Sequence, residues 1–167
     1  NKLYMYILYF FIFAILGWCM ETIYSFIVLG HFTNRGFLYG PICPIYGYGA
    51  LILIIFLGKY KNNSLKLFTY SAIIFSVFEY LASYVLEVLF HSFWWDYTND
   101  FFNLNGRISI FYSFAWGIIA ILFVGHLYPF LKKKLELLLS KINNVYILFL
   151  LYSFCIIFII DTILSCI

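Results

Sequence analysis

Charge is what this sequence has least of: ten basic and seven acidic residues in 167, or 10% of the chain, against about 25% in an ordinary soluble domain. A soluble protein of this length leaves about 30% of its unfolded surface in water after folding and covers it with charge, so a water-soluble globule is excluded. Three Pro and ten Gly without a period exclude a collagen-like repeat. Four Cys at 19, 43, 155 and 166 show neither paired spacing nor a Cys-rich loop, which argues against a disulfide framework or a zinc module and for small hydrophobes. No P-loop, GxSxG, HExxH or CxxC occurs, so no cofactor is implied and any ATP hydrolysis belongs to another chain. The net charge of +3 comes from short Lys clusters that form no basic face, which excludes nucleic acid as a partner.

What is abundant is apolar: 65% of residues, with 21 Phe, 16 Tyr and four Trp. The solvent that suits this surface is the lipid bilayer. Hydrophobic runs predict an all-α polytopic transmembrane bundle of five spans, over residues 3 to 29, 37 to 58, 67 to 90, 109 to 131 and 145 to 167, each long enough for a helix to cross. The runs do not alternate apolar and polar as barrel strands do. The whole chain, 1–167, reads as a single integral membrane domain. The first run is too long, and too polar at Glu21, for a signal peptide, and no small-residue cleavage site follows it. A start without Met and an end inside an apolar run suggest a trimmed chain with room for a sixth span. The Lys-rich stretches 59–66 and 132–141 are read as cytoplasmic loops, which puts the N-terminus in the cytoplasm and Ile167 outside.

Four acids fall inside apolar spans, at Glu21, Glu79, Glu87 and Asp161. An ionisable group there costs at least about 2.5 kcal/mol at the bilayer centre unless paired or wetted, so each is a functional candidate. Ser76, Glu79, Tyr80, Ser83, Glu87 and His91 recur at helical steps and form one polar stripe. Small and polar residues in the other spans suit interhelical hydrogen bonds equally well. Two Arg, at 35 and 107, follow the spans that hold Glu21 and Glu87. Charge pairing is expected for each, either to brace the fold or to present a fork for a carboxylate or phosphate.

The segment Asn34 to Gly49 holds four Gly and two Pro, so residues 36 to 49 are expected to be broken and partly re-entrant. Irregular backbone at bilayer depth is tolerated only when buried in protein or lining a wet cavity, and transporters place substrate sites at such breaks. The aromatic loop from His91 to Arg107 reads as an interfacial lid. Glu87, His91 and Asp96 could ligate a metal, but no second His follows at ligand spacing, and no metal site is assigned. Glu21 with Arg35, and Glu87 with Arg107, also suggest that spans one and two duplicate spans three and four.

Gly17-Trp18 with Glu21, residues Asn34 to Gly47, Trp94-Trp-Asp-Tyr97, and Phe102 to Arg107 followed by Ser113 and Trp116-Gly117 resemble the bacterial ABC-transporter type IV (CmpB-like) permease family over about residues 10 to 125. The resemblance implies a permease of the bacterial cytoplasmic membrane, with a separate ATPase or other membrane subunit as partner. The favoured reading is a transport component that binds a small polar ligand in an outward cavity built from Glu21, Asn34, Arg35, Tyr46, Glu79, Glu87, Trp95, Asp96, Asn105 and Arg107. The alternatives are an intramembrane enzyme acting on lipid or cell-envelope precursors, and a non-catalytic scaffold; a homo-oligomer is compatible with each.

Overall fold

The computed structural model describes residues 2–33, 36–91, 93 and 95–166. Among the described residues it is all-α apart from one short hairpin. Six helices follow in order: α1 (Lys2–Leu29), α2 (Pro44–Ile52), α3 (Ser64–Phe90), α4 (Ile110–Leu122), α5 (Tyr128–Leu139) and α6 (Asn144–Cys166). A π-helical turn, Leu53–Leu57, and a 3₁₀ turn, Gly58–Tyr60, prolong α2, and a second π turn, Phe123–Leu127, joins α4 to α5. Strands β1 (Asn103–Leu104) and β2 (Ile108–Ser109) pair antiparallel. Among the described residues four helices are long and apolar enough to cross a membrane, Leu3–Leu29, Ser64–Phe90, Ile110–Leu139 and Asn144–Cys166. The fifth expected span is the shorter apolar helix Pro44–Tyr60.

Two expectations are corrected. The Lys-rich stretch 132–141 is not a loop for most of its length, because α5 carries the helix through Leu139. Leu and Lys are both good helix formers, and Leu135 and Leu139 pack against Leu8, Ile147 and Leu151 while Lys132, Lys133 and Lys134 stay exposed. The break in the second span is also shorter than 36 to 49. It ends at Cys43, and α2 takes in Gly47 and Gly49 as buried helical residues. Proline at the first helical position supplies no donor where none is needed, so Pro44 starts the helix. A Cβ on Gly47 would sit 2.7 Å from the Phe10 carbonyl oxygen, so glycine is there for close helix approach.

The chain divides into two compact units, Asn1–Ile52 with Lys132–Ile167, and Leu53–Leu131. In the first, Phe10 and Phe11 of α1 meet Phe158 of α6 edge-on, at 5.6 and 5.8 Å between ring centroids. Tyr46 lies over Gly17, and Gly47 and Tyr48 reach Phe10, so α2 runs back down α1. Leu38 and Ile42, from the irregular stretch before α2, are buried with Phe10, Phe11 and Ala14. Ala14 lies about halfway along the 28-residue α1, so the irregular backbone reaches mid-helix level.

Its polar groups are accounted for one by one. Asp161 of α6 accepts from the backbone N–H of Tyr39 at 3.0 Å and of Gly40 at 2.9 Å, one on each carboxylate oxygen. Pro41 has no donor, Ile42 donates to the Gly40 carbonyl at 2.8 Å, and Cys43 donates across to the Ala14 carbonyl at 3.0 Å. From Tyr39 to Cys43 every backbone donor is satisfied, which is the condition for irregular chain at bilayer depth.

In the second unit, α3 buries Leu67, Ser71, Phe75, Glu79 and Ser83 at steps of four, one face of a helix. That face meets α4, where Phe68 covers Gly117, Ser76 and Ser113 share a 2.6 Å hydrogen bond, and Phe75 stacks on Trp116 at 5.1 Å. Asn63 caps α3 by accepting from Lys66 N–H, and Ser109 caps α4 by accepting from Tyr112 N–H.

Charge-assisted hydrogen bonds contribute about 1.5–3 kcal/mol each. Asp161→Ala strips two of them from the backbone of Tyr39 and Gly40. It is expected to lower stability by roughly 3 kcal/mol, and Asp161→Asn, which keeps one acceptor oxygen, by less. Denaturant unfolding of the purified protein in detergent, followed by tryptophan fluorescence, measures the difference; equal stability of all three proteins contradicts the clamp.

Candidate functional site

The expected site residues fall into two groups. In the first unit Tyr46 donates its phenol to Glu21, which holds the α2 start against the later half of α1. Asn34 and Arg35, and with them the expected pairing of Glu21 with Arg35, lie outside the described residues. The larger group lies in the second unit, where α3 and the segment 95–109 meet.

That segment folds as a hairpin because Asn105 and Gly106 both take positive φ, 54° and 67°, a conformation suited to tight hairpin turns. A Cβ on Gly106 would come within 2.8 Å of Asp96 Oδ1, so only glycine fits. Asp96 accepts from Thr98 through both the backbone N–H and the hydroxyl, and Tyr97 N–H donates to the Gly106 carbonyl at 2.8 Å. Trp95 Nε1 donates to the Arg107 carbonyl at 3.0 Å. The hairpin thereby carries three side chains to α3.

Arg107 is the first. It forms an ion pair with Glu87 and donates through Nη1 to Ser83 Oγ at 3.1 Å, with the guanidinium carbon 5.6 Å from the ring centroids of both Tyr80 and Tyr84. The Glu87 hydrogen bond raises the guanidinium pKa above its ordinary value. Asn105 is the second, donating to the Tyr80 hydroxyl at 3.0 Å. Tyr97 is the third, donating to Glu79 Oε1 at 2.9 Å while its ring stacks on Tyr112 at 4.3 Å. Burial, and the adjacent Glu79 carboxylate, raise the Tyr97 pKa far above that of free tyrosine. Trp116 Nε1 completes the set at 3.3 Å from Glu79 Oε2. Glu79 is 8% exposed, and both donors that reach it are neutral.

The structure therefore brings together Glu79, Glu87, Trp95, Asp96, Asn105 and Arg107 through one hairpin. It engages Glu87 with Arg107 and Asp96 with Thr98, away from a joint metal site with His91, whose N–H caps α3 on the Glu87 carbonyl. Among the described residues no group of three or more His, Cys, Asp and Glu is placed to hold a metal. Sequence reasoning missed Tyr84, although it lies four residues after Tyr80 and three before Glu87 on the same face. Asp161 was a candidate by its place in an apolar span but was not among the residues assigned to the cavity.

Tyr97→Phe leaves Glu79 with a single donor, and the expected cost is about 1–3 kcal/mol in thermal or denaturant unfolding; an unchanged midpoint contradicts the bridge. Asp96 gives a pH dependence. Both Thr98 hydrogen bonds lower its pKa below the ordinary 3.8, so the native state favours the ionised form. The contribution is complete above pH about 4 and is lost as the pH falls through the lower folded-state value. Protection of the Thr98 amide, its exchange relative to the intrinsic rate at each pH, should then fall only below about pH 4, and in an Asp96→Asn protein this step should vanish.

A sequence profile of the family described as "Putative ABC-transporter type IV" matches residues 8–166, wider than the motifs that carried the resemblance. No curated protein and no solved structure matches the chain. With four membrane-length apolar helices and this match across nearly its whole length, the chain is a multi-pass membrane protein that belongs to the ABC-transporter type IV family.

Proposed function

We propose that the chain is the membrane-spanning component of an ATP-driven transport system of the bacterial cytoplasmic membrane, and that its second unit binds a small polar ligand where the hairpin covers Glu79 and Arg107. The N-terminus and both Lys-rich stretches face the cytoplasm in this reading, by the positive-inside rule, and the hairpin faces outward. ATP hydrolysis is supplied by a separate chain, because the sequence holds no P-loop. The observation that carries the ligand site is Glu79: a carboxylate 8% exposed, held by Tyr97 and Trp116. Neutral donors bring no countercharge to a buried acid, which a ligand's own donors or cation can supply. Tyr97 belongs to the hairpin, so lifting the hairpin frees one carboxylate oxygen.

A second reading has its own support. Glu87, Asp96, Asn105 and Arg107 already spend hydrogen bonds within the chain, as a scaffold subunit would have them do.

Purification of the tagged chain from its native membrane in mild detergent separates these. The transport reading expects an ATP-hydrolysing subunit in the complex, and in the assembled system Glu79→Gln should lower ATP-driven uptake tenfold or more at normal protein level. A complex without nucleotide hydrolysis overturns the transport reading. Unchanged uptake with Glu79→Gln, accompanied by lower stability, leaves the scaffold reading.

A further inference from the structure

Tyr80, Ser83, Tyr84 and Glu87 lie within two turns of α3, spaced so that all four share one face. Around the Arg107 guanidinium they supply two ring faces at 5.6 Å, a hydroxyl at 3.1 Å and a carboxylate. Two aromatic faces with an anion are the chemistry by which proteins recognise organic cations, and the planar guanidinium fits a carboxylate and a ring stack together. The receptor is thus built on the helix, whereas its occupant arrives on a separate hairpin. The occupant's side chain is 13% exposed while Glu87 is 37% exposed, so the receiving face keeps an opening beside the bound cation. The hairpin is attached to α3 by few bonds, chiefly those of Arg107, Asn105 and Tyr97.

We propose that this face of α3 is a receptor for a guanidinium or ammonium group, filled in the closed state by the chain's own Arg107, and that a small organic cation occupies it when the hairpin lifts. The inference rests on reading the second unit as a ligand site and names the class of ligand. Arg107 acts as a tethered competitor: a free cation binds at its intrinsic affinity only in the fraction of molecules whose face is vacant.

The test is binding without ATP, uptake or a partner subunit, so its failure and that of the transport reading are separate results. Purified Arg107→Ala protein is titrated with methylguanidinium chloride, and its unfolding midpoint is compared with sodium chloride and with urea, the neutral molecule of similar shape, at equal concentration. At ten times the dissociation constant the midpoint should rise by about 3–6 °C. Wild-type protein should bind at least tenfold more weakly, and Arg107→Ala combined with Glu87→Gln should lose the response. No rise beyond the sodium chloride control overturns the proposal, as does an equal rise in wild type or in the double variant. If Arg107→Ala does not accumulate folded, it is purified with methylguanidinium or with urea throughout. Recovery with the cation alone supports the receptor, and recovery with neither overturns it.

Discussion

A lipid bilayer offers no hydrogen bonds, and an unsatisfied backbone group in it costs several kcal/mol. The irregular stretch before α2 meets that constraint through one side chain, the Asp161 carboxylate, which takes the N–H groups of Tyr39 and Gly40. Proline at 41 and 44 removes two further donors, and the Gly40 and Ala14 carbonyls take those of Ile42 and Cys43. Because the backbone is satisfied there, α2 can begin beside the middle of α1, and Tyr46 then falls against Gly17 and Glu21. An acid that looks costly in an apolar span is the condition for the geometry of the first unit.

The second unit follows the same rule with side chains. Glu79, Glu87 and Arg107 would each be expensive alone near lipid, and the hairpin closes over them so that each meets a partner. Its turn depends on positive φ at Asn105 and Gly106, which sets Asn105, Arg107 and Tyr97 on α3 at once. Local backbone chemistry thereby decides where three polar contacts to the helix fall.

Much of this was legible from residue type and spacing. The spans came from apolar run length, the break from Pro41 and Pro44, and the Glu87–Arg107 pair from the scarcity of arginine near acids that need a cation. The family was legible from its motifs. Other features depend on contacts that sequence does not encode locally. Asp161 meets Gly40 across 121 positions, and nothing in either stretch names the other. Glu79 finds Tyr97 only after the hairpin has turned. The Lys-rich stretch misled because charge density was read as loop, although its Leu residues keep a helical period that packs Leu135 and Leu139. Gly47 and Gly49 read as breakers, yet tertiary approach outweighed their low helix propensity.

The π turn at Phe123–Leu127 changes how the long helix Ile110–Leu139 has to be counted. A π turn holds one residue more than an α turn, so residues five apart come into line across it. Phe123 and Tyr128 show this directly, their rings parallel to within 8° at 6.3 Å. The residue numbering slips by one position across the turn. A helical wheel drawn without a break from Ile110 therefore misassigns every residue after Leu127 by about 100°, the angle of one α-helical residue. In the same way the residues of α5 keep their own phase, and any comparison of lipid-facing and protein-facing positions along this helix has two registers rather than one.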